Sequence, residues 1–482
     1  MRSEDEETQR DTAAGVLEGE ALERAVLDAV DEEALLADLA ALVAAAPVGG
    51  TVGEVAAQRW GAQRLRGLGL AVDEWDVDLD ELRASDGHPG EEVDRSELVG
   101  VVGTWAAEPP VPGADEVSAL VLCGHTDVVP VGDRSGWTDD PFRLARKGNR
   151  VVGRGACDML GGVAAVLAAV RALRSTHVQL RRPLAVHLVS GEEDGGVGAY
   201  ATLRAGHRGA ACVIAEPTGG AVIPANAGSL TFRLEVPGRA AHGSTRTLGE
   251  SAVDHLAPVL AALRDLEARR NAGVAGLFAH LDLAAPLSVG LLRGGDWAST
   301  VTDLLVAEGR YGVLPGESLD EARAAFEEAA AAVGHQDAWL AEHPVRVSWP
   351  GGAFAPGSLP EGDPLLGQVL EAAAAAGAAG GDGGGDGASG RPRVEGAPYG
   401  SDLRHYAGHG IPTLQYGPGL LADAHAVDEG VAVEELVACA RAYVLLVLRR
   451  CGGTGPAAWT GRAAHLGRGA PPGSDEAARL RR

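Results

Sequence analysis

At 482 residues with 46% apolar composition, the chain is long enough for two domains with sizeable cores. Its formal net charge of −26 argues against nucleic acid or an anionic membrane as partner. The acidic start, Met-Arg-Ser-Glu-Asp-Glu-Glu, lacks the apolar centre of a signal peptide, and no apolar run is long and uncharged enough to span a bilayer.

Residues 1–18 are polar and read as disordered. Across 20–46, Leu22, Val26, Ala29, Val30, Leu35, Leu36, Leu39 and Leu42 fall at helical spacing and predict one apolar face. A helix near 52–67 leads into a strand from Leu70 to Val77, a polar loop over 82–95, and strands near 97–105 and 117–123. A buried helix over 161–174 precedes a strand at Leu184–Val189, a short helix near 196–204 and a strand at Ala211–Ala215. Strands alternating with helices predict an α/β sheet covered on both faces.

At about residue 229 the pattern changes to strict alternation, Ser229-Leu-Thr-Phe-Arg-Leu-Glu-Val236. A helix over 250–268, strands near 286–292 and 301–309, a helix over 317–333 and a strand at Val345–Trp349 complete a β-α-β-β-α-β order. That order predicts a ferredoxin-like α+β unit over 229–349, inserted in a discontinuous larger domain of 19–228 and 350–451. After Pro350 come a helix near 363–376, a strand near 412–416 and a helix over 431–449. Residues 377–390 are Gly-rich and read as a flexible insertion; residues 452–482 read as a disordered tail. The five cysteines, Cys123, Cys157, Cys212, Cys439 and Cys451, are odd in number and widely spaced, which favours reduced thiols and a cytoplasmic location.

Open α/β sheets bind ligands at the carboxyl ends of their strands. Five expected strand ends are followed by acids or histidines: His125 and Asp127; Asp158; Glu192 and Glu193; Glu216; and His425. Residues two apart on a strand face the same way, so His125 and Asp127 share a pocket. Either both bind one metal, or Asp127 holds the second ring nitrogen of His125. His125, Asp158, Glu193, Glu216 and His425 supply two imidazoles and three carboxylates. With Asp158 bridging, they give two divalent ions three protein ligands each. Nitrogen and oxygen donors without thiolate suit zinc, with cobalt or manganese as alternatives. The charge left over calls for a bridging hydroxide, the nucleophile such a site offers at neutral pH. Of the adjacent Glu192 and Glu193, one is free to bind metal while the other moves a proton.

Gly124-His-Thr-Asp-Val-Val-Pro130, Gly136-Trp-Thr-Asp-Asp-Pro-Phe142, Gly153-Arg-Gly-Ala-Cys-Asp-Met159, Ser190-Gly-Glu-Glu193, Glu216-Pro-Thr218 and Ala424-His-Ala-Val-Asp-Glu429 occur in this order. With them the chain resembles the acetylornithine deacetylase/succinyl-diaminopimelate desuccinylase family of di-zinc amidohydrolases, which includes carboxypeptidase G and aminoacylases. The resemblance implies a zinc-peptidase-like catalytic domain, its mixed sheet covered by helices, and an inserted lid that also forms a homodimer. It implies His125, Asp158 and Glu216 on one metal, Asp158, Glu193 and His425 on the other, and Glu192 as general base. Asp127 then stands behind His125, fixing its ring, because the metals have enough ligands without it. His242, in Gly238-Arg-Ala-Ala-His-Gly-Ser244, matches a lid histidine that steadies the oxyanion from the neighbouring subunit. Arg310 matches a substrate-carboxylate arginine, and Ser401 and Asp402 match a loop lining that pocket. Ser299 stands where many relatives have a substrate-contacting asparagine. The implied reaction is amide cleavage of an N-acyl amino acid, N-acetylornithine first, with N-succinyl-diaminopimelate or a dipeptide next. A catalytically inert homologue is disfavoured, since no ligand and no base is lost. A serine hydrolase is disfavoured by the lack of a Gly-x-Ser-x-Gly elbow.

Overall fold

The computed structural model of the protein describes residues 16–108, 117–377 and 391–456. Most of the three segments expected to be disordered lies outside the described residues. At their edges the expectation is corrected. Val16–Leu17 pairs antiparallel with Gly453–Pro456, which pairs in turn with Gln179–Leu180. These short strands tie both end segments to the body. The helical stretch expected as one face over 20–46 is two helices, Gly19–Leu27 and Glu32–Ala44. Asp31 causes the break: its carboxylate accepts from the Ala34 amide at 3.0 Å and caps the second helix.

The larger sheet has nine strands. Thr413–Gln415, Cys212–Ile214, Leu120–His125 and Leu184–Val189 run parallel at its centre. Val99–Trp105 and Ala71–Asp76 continue one side antiparallel, so the sheet is mixed. Every residue of Leu120–His125 and Leu184–Val189 is buried. The Leu160–Ser175 helix, apolar on almost all sides, shares one hydrophobic core with these strands and with Val433–Cys451. Val222–Asn226, unforeseen in the sequence, extends the other side of the sheet and carries Gly357–Ser358 and Val394–Ala397. The strand whose end leads to Asp158, at Val151–Val152, belongs not to this sheet but to a separate three-stranded one of Ala145–Lys147, Arg150–Val152 and Gly430–Ala432.

A second sheet has five strands, centred on Gly228–Pro237 and Leu304–Val313, paired antiparallel over ten residues each. Leu287–Gly294 lies on one edge, and Arg346–Ser348 and Ala353–Phe354 pair on the other side. The helices Ala252–Asn271 and Leu319–Ala332 complete the expected element order. The second of these starts at a capping box between Ser318 and Glu321. Leu230, Phe232, Leu234 and Val236 point from the alternating strand into a separate core with Phe326. All five cysteines are buried and unpaired. Among the described residues no helix is long and apolar enough to cross a membrane.

Candidate metal centre

The carboxyl ends of the central parallel strands open on one cavity. His125 ends its strand fully buried. Its Nδ1 faces the backbone oxygen of Asp127 at 3.0 Å. A carbonyl only accepts, so Nδ1 carries the hydrogen in the neutral ring and the Nε2 lone pair points into the site. There Nε2 lies 3.2 Å from Asp158 Oδ1 and 4.0 Å from Glu216 Oε2. Across the site, His425 Nε2 lies 3.1 Å from Glu193 Oε2 and 3.6 Å from Asp158 Oδ2. The backbone of His425 is left-handed, at φ 61°, a conformation uncommon outside glycine.

Among the described residues two groups could hold a metal ion: His125, Asp158 and Glu216, and Asp158, Glu193 and His425. In each, the donor atoms lie within 4.8 Å of one another, and Asp158 is common to both. The three-stranded sheet explains this sharing. Its register sets Gly430 against Val152, so the segment that carries His425 lies along the segment that leads to Asp158. Glu429 locks the two together. Its Oε1 accepts from the Cys157 and Asp158 amides at 3.0 and 2.9 Å, and its Oε2 accepts from Arg154 Nη1 at 2.6 Å. The Asp158–Met159 peptide bond is cis. Glu429 and Arg154 were not singled out from the sequence, although both lie inside quoted motifs.

Asp127 needs a correction of detail. The ring of His125 is held by its backbone carbonyl; its carboxylate oxygen is 3.6 Å from Nδ1. The carboxylate instead accepts from the backbone amides of Glu192 and Glu193, each at 3.2 Å. One buried side chain therefore orients the turn that presents both acids.

The electrostatics fit a divalent cation. Burial, with Glu216 and Asp402 nearby, pushes the Glu192 carboxyl well above its usual range. Burial pushes Glu216 up likewise, and Asp127 up to about 7. Burial opposes a charge on His125, but the hydrogen bond with Asp158 and the surrounding carboxylates hold its pKa well above the usual value. Glu193 raises His425 to about 9. A cluster of acids that suppresses its own ionisation is relieved by positive charge at its centre. The donor set, imidazole and carboxylate, is that of hard to borderline divalent ions. Cys157 is no ligand: its thiol donates to the Leu420 carbonyl at 3.3 Å, and burial drives its pKa far up.

Glu192 and Arg310 line the cavity together with the candidate ligands Asp158, Glu193, Glu216 and His425. Phe354, Tyr399 and Gly400 form further wall. Tyr399 donates to Gln415 Oε1 at 2.9 Å, and Phe354 lies between the guanidinium groups of Arg310 and Arg404, 5.4 and 3.9 Å from its ring centre. Ser401 and Asp402, expected in the pocket lining, are buried behind it. Ser401 Oγ accepts from Gln415 Nε2 and from the Leu403 amide at 3.0 and 3.2 Å, so it supports the wall. His242 and Ser299 lie outside the cavity, together on an exposed face of the second sheet's unit. The Gly243 amide donates to the Ser299 carbonyl at 2.6 Å, and His242 Nδ1 lies 2.7 Å from Ser244 Oγ. Within one chain they do not reach the cavity that the candidate ligands line.

Residues 121–449 match the model of peptidase family M20/M25/M40. The chain is 27% identical over 413 residues to N-formyl-4-amino-5-aminomethyl-2-methylpyrimidine deformylase of Bacillus subtilis, covering 82% of this chain and 89% of the relative. It is 30% identical over 360 residues to succinyl-diaminopimelate desuccinylase of Gluconacetobacter diazotrophicus, covering 69% and 81%. In fold it is similar to a dipeptidase of Saccharomyces cerevisiae, with a TM-score of 0.69 and 13% identity over 89% of this chain and 98% of the other. With the match spanning most of the chain, the protein belongs to the M20/M25/M40 peptidase family and is a hydrolase of amide or peptide bonds.

Proposed function

We propose that the protein is a metal-dependent deacylase of N-acyl amino acids. The observation that carries this reading is the pair of ligand triads sharing Asp158 beside the buried carboxylate of Glu192. When bound, two divalent ions, zinc in the first instance, supply Lewis acidity for the scissile carbonyl and lower the pKa of water. Glu192, held by the Asp127 carboxylate through its own amide, accepts a proton from the attacking water and delivers it to the leaving nitrogen. Arg310 holds the substrate carboxylate.

The acyl group is small. The named relatives remove formyl and succinyl groups, and N-acetylornithine is the first candidate here. N-succinyl-diaminopimelate or a dipeptide is the alternative. The two largest apolar cores support domain limits of 19–228 with 350–451 for the catalytic part and 229–349 for the lid, with a small cluster of Ala225, Ala227, Phe278 and Ala284 at the junction. The lid forms a homodimer in the cytoplasm, and the exposed Leu291 and Leu292 on its edge strand, with the exposed Trp297 after it, support such a contact. His242 then reaches the partner's site and stabilises the oxyanion.

The test is metal analysis followed by a panel of N-formyl, N-acetyl and N-succinyl amino acids and dipeptides. Bound divalent metal with chelator-sensitive release of a free amino acid is expected. A protein that binds no metal, or hydrolyses none of the panel, overturns the reading. Mixing Glu192→Gln and His242→Ala dimers tests the action in trans: exchange restores activity if His242 serves the neighbouring site, and leaves none if it serves its own.

A further inference from the structure

Arg310 enters the cavity already engaged. Its Nη1 lies 3.0 Å from Glu92 Oε1 and donates to Thr231 Oγ1 at 2.9 Å. Thr231 donates to the same Glu92 oxygen at 2.6 Å, which closes a three-membered ring of contacts. Thr231 and Arg310 face each other in register on the second sheet, whereas Glu92 comes from the loop between Leu79–Ala84 and Val99–Trp105.

That loop is anchored. The Glu92 and Val93 amides both donate to Asp194 Oδ2 at 3.3 Å. Asp194, next to Glu193, is gripped by the buried Arg95 at 2.9 and 3.1 Å, and Arg95 also holds Glu54. Gly351 packs so closely that a Cβ there would lie 2.8 Å from Glu92 Oε1. The Glu92 carboxylate therefore sits against the Gly351 backbone and the Arg310 guanidinium on an anchored loop, with its outer side open to solvent.

An anion that binds Arg310 must share the guanidinium with this carboxylate or displace it toward solvent. A planar guanidinium has five donors, so sharing is geometrically open to it. The repulsion between two like charges on one cation is what weakens it. We propose that Glu92 is a specificity-determining residue: as the counter-ion that an anchored loop holds on Arg310, it sets how strongly the pocket demands a free carboxylate on its substrate. With Glu92 in place the cavity tolerates uncharged amides; without it, carboxylate-bearing substrates gain selectively. This rests on the assignment of Arg310 to the substrate carboxylate.

The experiment compares metal-loaded wild type and Glu92→Gln on an N-acetyl amino acid and on its carboxamide, which has the same acyl group and side chain. The variant is expected to lower KM for the carboxylate about three- to tenfold at unchanged kcat, and to leave the carboxamide unaffected. Equal shifts for both substrates, or none, overturn the proposal. A second readout needs no turnover: labelling of Arg310 by phenylglyoxal, followed by peptide mass spectrometry. Faster labelling in the variant supports the shielding; equal rates refute it. If the wild type hydrolyses neither substrate, the deacylase reading fails, and the labelling rates still decide whether Glu92 occupies Arg310.

Discussion

The two sheets carry their chemistry in opposite ways. Leu120–His125 and Leu184–Val189 are buried from end to end, whereas Gly228–Pro237 alternates buried and half-buried residues along its length. A strand covered on both faces admits a polar side chain in its middle only with a buried partner, as His187 has in Tyr406, so most polar residues gather at its end. In the larger sheet that displacement brings His125, Glu192, Glu193 and Glu216 together at one edge. The second sheet has a wet face, and its pocket residue Arg310, with its partner Thr231, stands mid-strand. The first arrangement makes a buried, mutually dependent cluster. The second makes a replaceable contact.

Substitutions should separate the two regions. Asp158→Ala is expected to remove both ions and all measurable turnover, read by elemental analysis after gel filtration. Retention of two ions would show that Asp158 does not bridge. Glu192→Gln should keep both ions and lower kcat by roughly 10³-fold in steady-state kinetics. Near-normal turnover there would move the base elsewhere.

Arg154→Ala leaves Glu429 buried without its cation, and a loss of about 3–5 kcal/mol in denaturant unfolding is expected. A loss below about 1 kcal/mol would mean that the pair does not lock the two ligand segments.

The pH dependence follows from His425, whose pKa rises to about 9 through its hydrogen bond with Glu193. In the metal-free protein a raised histidine pKa adds stability that is fully present below the ordinary value near 6.5 and lost as pH climbs through about 9. Metal binding requires the neutral ring, so apparent metal affinity should fall as pH drops below about 9, roughly tenfold per pH unit for each proton displaced. Calorimetry in buffers of different ionisation enthalpy measures those protons; binding without proton release contradicts the assignment.

The smallest effect belongs to the second sheet. Thr231→Val removes one hydrogen bond to Arg310 and one to Glu92, on a half-buried face. A KM change of about threefold at unchanged kcat is expected. A collapse of kcat would show that the two sheets are not as separable as their burial implies.

Much of this was open to inspection residue by residue. Period-two and helical spacings located most elements. The runs after the apolar strands named all five candidate ligands, because a buried strand betrays itself by its composition and polar residues mark where it stops. The Val222–Asn226 strand escaped because its five residues, Val-Ile-Pro-Ala-Asn, contain a proline and show no period. The Gly19–Leu27 and Glu32–Ala44 helices merged in the sequence view because the break at Asp31 interrupts the backbone without interrupting the apolar spacing.

Local order alone determined most element types, the α/β class and the candidate ligand residues, since each depends on neighbours a few positions away. Only the tertiary structure decided what those residues touch. It turned the Asp127 carboxylate toward the Glu192–Glu193 turn, set Ser401 and Asp402 behind the pocket wall, and used Glu429 to clamp Asp158 from 271 positions along the chain. It brought Glu92 onto Arg310 as well. Such pairings rest on the register of strands far apart in sequence and on which buried polar groups must find partners, and no local period encodes either.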